Sequence, residues 1–490
     1  MEFGTLSSRG FVIDGQPLTP MTSYDAASQG QRLKSWTPGS AGPTRAAVSQ
    51  MSTVRSRSRD AVRNNGWIAN GVGNWVSNEV GAGIKPRSKS PDKAFADACN
   101  KLWDDVVAEA DYDGVLDIYG LMAGAVRGRK EAGEMFVRIR HLGLNSGTAV
   151  PIQFQLIESE QVPHTHNVQT ADTEIIAGVE FNKNSGKRTH YWMYRRHPSD
   201  MAQVGMDLIQ VPASEIMHHF APLRAGQIRG VAETVQALVK ARDFDEYDDA
   251  ELVRKKTRAN YTGIIKRPNY DETDYQFDPF TGDPIDNSTG SPVVNMQPGT
   301  FPALLPGEDI QLFDSDQGGG YGDFMRQQLQ GVAASMGGIP YEILSGDFRN
   351  VNDRILRAIL NEYRRRVEQY QWLYTIPQLC QRMWEAVIDA GVLSGRLQVA
   401  DYAANRKAHT KADWRPHAWR YLHPVQDAQG ELMLIKGGLG SRAAAAAERG
   451  YDVEEIDEQN RADADRATSL GLRYSHDPLP DEPDDTAEKS

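Results

Sequence analysis

Apolar positions along this chain follow two periods, and the helical one dominates. From Tyr321 to Val392 they recur at helical spacing. Phe324, Leu329, Val332, Ala333 and Met336 share one face, and Gly337-Gly338 stops the run. Ile339-Pro340-Tyr341-Glu342-Ile343-Leu344 follows, then a polar turn, Ser345-Gly346-Asp347. Leu356, Leu360, Tyr363, Val367, Tyr370 and Tyr374 recur at alternating gaps of four and three, with Arg364, Arg365 and Arg366 mostly off the stripe. Asn352 or Asp353 suits the N-cap. Pro377 predicts a bend or break before Gln378 to Ala390 continues the helix. A seam this narrow suits packing against another helix or an identical subunit.

The same period marks other helices. Arg45 to Glu79 reads as one long helix with Val48, Met51, Val54, Ala61, Ile68, Val72 and Trp75 on one face, closed by Val80-Gly81-Ala82-Gly83. Asp92 to Ala108 and Gly114 to Lys130 are amphipathic. Gly230 to Arg258 is a third long helix, acidic in its middle and basic at its end, with Glu251 and Lys255 spaced as a favourable pair. After a connector over Leu393 to Pro416, helices are expected at Gln426 to Gly440, Ser441 to Gly450 and Val453 to Gly471.

A period of two appears between Glu134 and Phe220. Glu134 to Arg140, Ile152 to Ile157, Ile175 to Phe181, His190 to Tyr194 and Asp207 to Val211 alternate like strands. Asn182 to Gly186 makes a hairpin turn. Thr262 to Asp316 carries prolines at 268, 279, 284, 292, 298, 302 and 306, so short strands and loops are expected there. Met1 to Thr44 is rich in Gly, Ser, Thr and Pro and reads as flexible or extended. No internal repeat is visible. The fold class is α+β.

Composition narrows the classes. The 490 residues suffice for two to four domain-sized units or one elaborate subunit. No apolar run approaches the roughly 20 residues that span a bilayer, so no membrane partner is expected. Met1 to Ser23 lacks the basic and apolar regions of a signal peptide. Two cysteines, Cys99 and Cys380, exclude a disulfide framework or a Cys-rich zinc site and favour a cytosolic origin. The net charge is -12. Residues 451–490 hold 13 acidic and 4 basic residues, a balance of −9, which leaves the rest at only −3. A mildly acidic body argues against tight nonspecific DNA binding.

Candidate chemistry is sparse. Gly318-Gly319-Gly320-Tyr321-Gly322 precedes a helix but lacks the Gly-Lys-Ser/Thr ending of a phosphate loop. His164 with His166, or His218 with His219, lacks a completing ligand at metal spacing. Asp111, Asp113 and Gly114 lack the remaining positions of a calcium loop. There is no Gly-x-Ser-x-Gly elbow. Arg55, Arg57, Arg59 and Arg63 form a basic cluster that suits a solvated or subunit-pairing face or a nucleic-acid arm. The reading is therefore of a non-enzyme, with no cofactor and no metal.

Several stretches carry a resemblance. Gly337 to Asp347 followed by an Arg-rich helix, Arg57-Ser58-Arg59-Asp60, Arg63-Asn64-Asn65, Val80-Gly81-Ala82-Gly83-Ile84 and Gly133 to Arg138 resemble the lambda-type bacteriophage portal protein family. So do Ala225 to Val231, Pro298-Gly299-Thr300, Leu305-Pro306-Gly307-Glu308, Gly437 to Arg442, Gly450-Tyr451-Asp452 and Leu470-Gly471-Leu472. The motifs keep their order over roughly residues 22 to 472. Two departures stand out: Asn350 to Arg357 replaces the usual Asn-Tyr-Ser-Ser-x-Arg, and His423-Pro424 replaces Asp-Pro.

The resemblance implies a portal fold with wing, helical stem, β-containing clip and helical crown, assembled as a dodecameric ring at one capsid vertex. It maps 1–44 to a flexible arm, 45–230 to the wing, 231–258 and 316–337 to stem helices, and 262–311 to the clip. Residues 338–352 become the tunnel loop, 353–424 the long wing helix and connector, and 425–490 the crown with an acidic tail. The implied DNA-facing residues are Ile339, Tyr341, Ile343, Leu344, Asp347, Arg349, Asn350, Val351 and Arg354. The implied partners are double-stranded DNA, the terminase large subunit, a head–tail adaptor, and the major capsid and scaffold proteins. The implied location is the virion vertex, with host cytoplasm during assembly. The alternatives left open are a head–tail adaptor ring and a nuclease-like DNA-processing enzyme.

Overall fold

The computed structural model describes residues 37–200, 207–260, 320–349, 351–419 and 423–472, together with Ser35 and the backbone of five short strands outside those spans. Three of the five are β1 (Leu6–Ser7), β2 (Gly10–Ile13) and β3 (Gln16–Pro17), which pair antiparallel in the arm that the sequence suggested was flexible or extended.

The single helix expected over Arg45 to Glu79 is three: α1 (Pro43–Val48), α2 (Met51–Asn64) and α3 (Gly66–Glu79). Asn65 ends α2 in extended geometry and then caps α3, its side chain accepting from Ile68 N–H at 2.9 Å. An Asn that bonds its own backbone competes with helix continuation, which periodicity alone does not register. β4 (Lys85–Ser88) leads to α4 (Lys93–Val107), capped by Asp92, and α5 (Ile118–Ala132), capped by Asp117. Both match the expected helices, but Asp111 to Leu116 is a turn. The Asp111 carboxylate accepts the N–H groups of Asp113, Val115 and Leu116.

The strand-rich region holds two sheets. β5 (Glu134–His141), β6 (Ile152–Ile157), β7 (Val168–Gln169), β8 (Thr173–Ile176), β9 (Val179–Asn182), β10 (Arg188–Tyr194), β11 (Leu208–Pro212) and β12 (Ile216–Phe220) follow in order. One sheet runs β12-β5-β6 and the other β11-β10-β9-β8-β7, all antiparallel. The strand expected over Ile175 to Phe181 is β8 and β9 joined by a turn at Ala177-Gly178. Ala177 has φ 51, and its carbonyl accepts from Arg229 Nη1 at 2.6 Å.

α6 (Val235–Asn260) starts five residues later than expected. Within it Glu251 pairs with Arg254 rather than Lys255, whose ammonium lies 4.8 Å from the Tyr321 ring centre. β13 (Gly263–Lys266) and β14 (Asp309–Leu312) pair antiparallel; the rest of the expected clip, 262–311, lies outside the described residues. α7 (Tyr321–Ser335), α8 (Tyr341–Ser345) and α9 (Asp353–Tyr370) follow. Pro377 does not break the long helix. Gln371–Cys380 is π-helical and runs into α10 (Gln381–Leu393). The wider turn accommodates a residue that has no N–H to donate. α11 (Tyr402–His409) and β15 (Ala412–Arg415), which pairs with β4, fill the connector. α12 (Pro424–Lys436), α13 (Arg442–Glu448) and α14 (Val453–Leu470) complete the described chain. Among the described residues no helix is long and apolar enough to cross a membrane.

Three cores hold these elements. The first joins α4, α5, α10, β5 and β6 around Trp103, Met122, Phe154 and Trp384. The second joins α3, α6, α7 and α9 around Trp75, Val332, Tyr363 and Val367. The third lies between the two sheets around Phe136, Tyr191 and Met193. Two buried charge clusters pin the lead into α6. Glu134 accepts from Arg229, from Gly230 N–H at 2.7 Å and from Ser159 Oγ, and bonds His218 Nε2 at 3.0 Å. Glu79 takes both terminal nitrogens of Arg129, at 2.9 and 2.7 Å. Arg129 also meets Glu233 at 2.9 Å, and Lys130 pairs with Glu233 while lying 3.6 Å from the Trp75 ring centre.

Candidate functional site

The candidate site is the segment between α7 and α9, and its shape starts with two glycines. Gly337 and Gly338 have φ 79 and 75, a region that L side chains disfavour. A Cβ on Gly338 would lie 1.8 Å from Arg366 Nη1. The turn leaves the carbonyls just after α7 without helical partners, and two side chains take them. Trp75 Nε1 donates to Met336 O at 2.7 Å, and Arg366 Nη1 donates to Gly337 O at 3.2 Å. The segment is thus seated on α3 and α9.

What the sequence suggested was an apolar loop contains the one-turn helix α8, closed by Gly346 at φ 70. Burial divides the set that the resemblance implied would face DNA. Ile339 and Leu344 are 2% and 1% exposed and belong to the second core. Each contributes about 1.5–3 kcal/mol by that burial, so neither side chain is presented outward. Their backbone is held too: Asn70 Nδ2 donates to Leu344 O at 2.8 Å. Ile343 packs partly against the same core, and Tyr341 is half-buried with the Arg326 guanidinium 5.4 Å from its ring centre.

Asp347 organises the outer turn. Its carboxylate accepts Arg349 Nε at 2.8 Å and Nη2 at 2.9 Å, and Tyr341 Oη donates to it at 3.1 Å. The Arg349 fork holds the Asp347 carboxyl well below the usual carboxylate range. Arg349, one of the implied DNA-facing residues, therefore has its charge matched within the turn. Val351 is half-buried, with its N–H on Phe348 O at 3.2 Å, and Asn350 lies outside the described residues. Arg354 is exposed on the first turn of α9. Phe348, 50% exposed, is the aromatic side chain of this turn. Sequence periodicity missed it because it stands alone among polar neighbours. The caps Trp75 and Arg366 were also missed, since their partners are backbone carbonyls.

Titratable groups elsewhere explain themselves as packing. Burial pushes His218 down to about 4 despite its bond to Glu134, and burial beside Arg129 holds His219 well below its ordinary value. Glu134 is held far below the carboxylate range because Arg229 and His218 outweigh its burial. Glu158, Glu160 and His197 offer ligand atoms within 4.8 Å of one another. Arg59 meets both carboxylates, at 3.1 and 2.8 Å, and Arg55 meets Glu160 at 2.8 Å. Arginine occupies the role a cation would take, and two of the basic-cluster residues thereby serve an internal ion-pair knot.

Three kinds of comparison bear on this chain. A family model described as phage portal protein, lambda family, matches residues 29–371. A portal protein of Escherichia phage N15 is 23% identical over 488 residues, spanning 90% of this chain and 89% of that relative. Portal protein B of Escherichia phage lambda is 23% identical over 491 residues, spanning 91% and 89%. Among solved structures, a chain from the neck of an empty gene transfer agent particle, computed with C6 symmetry, aligns with a TM-score of 0.46 and 13% identity, covering 81% of this chain and 93% of that one.

Proposed function

This chain belongs to the lambda family of phage portal proteins, and from that premise we propose that twelve copies close into a ring at one capsid vertex. Double-stranded DNA enters through the ring, driven by a terminase, and later leaves by the same path. A head–tail adaptor docks on the outer end, and the major capsid and scaffold proteins surround the ring. The subunit itself is a structural component without catalytic activity or cofactor, assembled in the host cytoplasm and retained in the virion.

The observation that carries this reading is the family match across 343 consecutive residues, from the arm into the π-helical segment. Surface chemistry supports it. A closed ring covers apolar groups that a lone subunit leaves in water, among them Trp372 at 51%, Leu373 at 55% and Met433 at 71% exposure. The division of wing (45–230), stem (231–258 and 316–337), clip (262–311), tunnel loop (338–352), long helix and connector (353–424) and crown (425–490) is part of the same proposal. Within the tunnel loop the outward groups are Phe348 and Arg354, with Tyr341, Ile343, Asp347, Arg349 and Val351 at their base.

Light scattering followed by negative-stain imaging tests the assembly. A ring of about a dozen subunits with a central hole is expected. A monomer that persists at high concentration with scaffold and capsid protein present overturns it. Phe348→Ala and Arg354→Ala are expected to leave the ring intact and alter DNA packaging or retention. Normal packaging in the double variant removes the tunnel-loop assignment.

A further inference from the structure

α12, α13 and α14 are attached to the rest of the chain in an unusual way. None of their residues belongs to any of the three cores. α12 has no buried residue, and in α13 and α14 only Ala446 and Ala467 are buried. These helices are not anchored by apolar burial. Polar contacts hold them at two places. On one side Asp452, the N-cap of α14, meets Arg87 Nε at 2.8 Å and Arg415 Nη1 at 3.4 Å. On the other, residues at the start of α12 reach the start of α9. His423 Nε2 and Asp353 Oδ2 share a hydrogen bond, and Arg357 Nη1 approaches Asp427 Oδ1 at 3.5 Å. Asp427 Oδ2 also accepts His423 N–H at 3.1 Å, which ties the two contacts together. Further along α9, Trp419 Nε1 donates to Glu368 Oε1 at 3.2 Å, and the Arg364 guanidinium lies 5.0 Å from the Trp419 ring centre.

The receiving end matters. Asp353 and Arg357 occupy the first and second turns of α9, directly after the 338–352 segment. Neither turn has a buried residue of its own; Tyr363 is the first. The internal support of this helix start is one cap, Asn352 Oδ1 accepting from Ile355 N–H at 2.9 Å. Helix ends so lightly held fray. Contacts from α12 therefore decide how ordered the start of α9 is.

We propose that His423–Asp353 and Arg357–Asp427 form a clasp through which the position of α12–α14 sets the order of the start of α9 and of residues 347–349 and 351–352 before it. With the clasp closed, the start of α9 is ordered and Phe348 and Arg354 are held in place. Displacing α12–α14 releases it. The contacts are partly exposed, so the clasp opens at small cost, as a reversible coupling requires. The coupling stands on these contacts alone. Its consequence for a DNA channel rests on the portal reading.

Hydrogen exchange followed by mass spectrometry on the purified full chain tests the clasp without a ring or DNA, so its failure is separable from failure of the portal reading. Asp427→Asn, on α12, is expected to speed exchange of amides at 347–349 and 351–357 by about two- to fivefold. Coupling is reciprocal, so Arg357→Gln, on α9, is expected to speed exchange at 424–436 by a similar factor. Raising salt from about 0.05 M to about 1 M is expected to reproduce both effects in the unmodified chain and to add little in the double variant. Changes confined to the mutated helix overturn the proposal. So does a uniform rise across the three cores, or a salt response undiminished in the double variant.

Discussion

At the scale of single residues, the site and its supports rest on backbone positions and buried charges. At Gly338 the backbone has φ 75, and a Cβ would displace the neighbouring Arg366 guanidinium. Gly338→Ala is expected to lower stability by about 1–2 kcal/mol, from the left-handed backbone alone, and more if Arg366 loses its bond to Gly337 O. Urea titration of the monomer measures it. Arg229 is fully buried on Glu134, and Arg229→Met leaves that carboxylate short of its main partner. A loss of about 3–5 kcal/mol is expected, read the same way. His218 gives a pH signature. Its folded value of about 4 lies below its ordinary 6.5, so the unfolded chain takes up the proton first. Stability is full above about 6.5 and falls as the pH drops toward 4, by about 3 kcal/mol from this group. His218→Gln, which keeps a donor for Glu134, is expected to flatten that slope in melting curves taken between pH 7.5 and 4.5. These residues were poorly legible in the sequence. His218-His219 stood out only as a possible metal pair, because nothing local indicates that β12 pairs with β5, where Glu134 lies two residues from Phe136, the register partner of His218.

Elements were more legible where one period ran uninterrupted. α4, α5, α7 and α10 fall where apolar spacing places them, and the stripe residues Leu356, Leu360, Tyr363, Val367, Tyr370 and Tyr374 are each buried or half-buried. The failures share a cause: local chemistry or tertiary bonding overrode the period. Asn65 split a continuous apolar face into α2 and α3. Ala177-Gly178 turned one strand into two. β12 was missed because its five residues, Ile216–Phe220, are all buried and so do not alternate. The π-helical stretch is the clearest case. Its polar side chains are inserted into neighbours: Gln371 Nε2 donates to Glu79 O at 2.8 Å, Thr375 Oγ1 to Glu79 Oε1, and Gln378 exchanges two 3.0 Å bonds with the backbone of Phe220. Those anchors hold the widened register that admits Pro377. Thr375→Val is nearly isosteric and removes one anchor. It is expected to cost about 1–2 kcal/mol and to speed amide exchange within 371–380 more than in α10. Equal changes in both segments would show that the hydroxyl merely supports the core.

At the scale of the whole molecule, apolar burial is concentrated in three cores, while the C-terminal helices remain largely uncovered. Val425 and Met433 are 70% and 71% exposed, and α12 buries nothing. A 13-residue helix with no fully buried side chain is marginal in water, so α12 gains stability from its neighbours. The candidate site follows the same division. Its motifs were legible as a family pattern, but which side chains point outward was not, because Ile339 and Leu344 look identical to exposed apolar loop residues until α3 and α7 are brought beside them. In the ring reading, the neighbour of α12 is the next subunit. Met433→Glu introduces a charge on the uncovered face and touches no core. The isolated subunit is therefore expected to melt within about 0.5 kcal/mol of the unmodified chain, as surface changes do. Ring formation is expected to fall about tenfold or more, because the charge must be desolvated on assembly. Mass photometry across a dilution series reads both species at once. A variant that assembles normally would place this face away from subunit contacts and leave it to the other partners of the vertex.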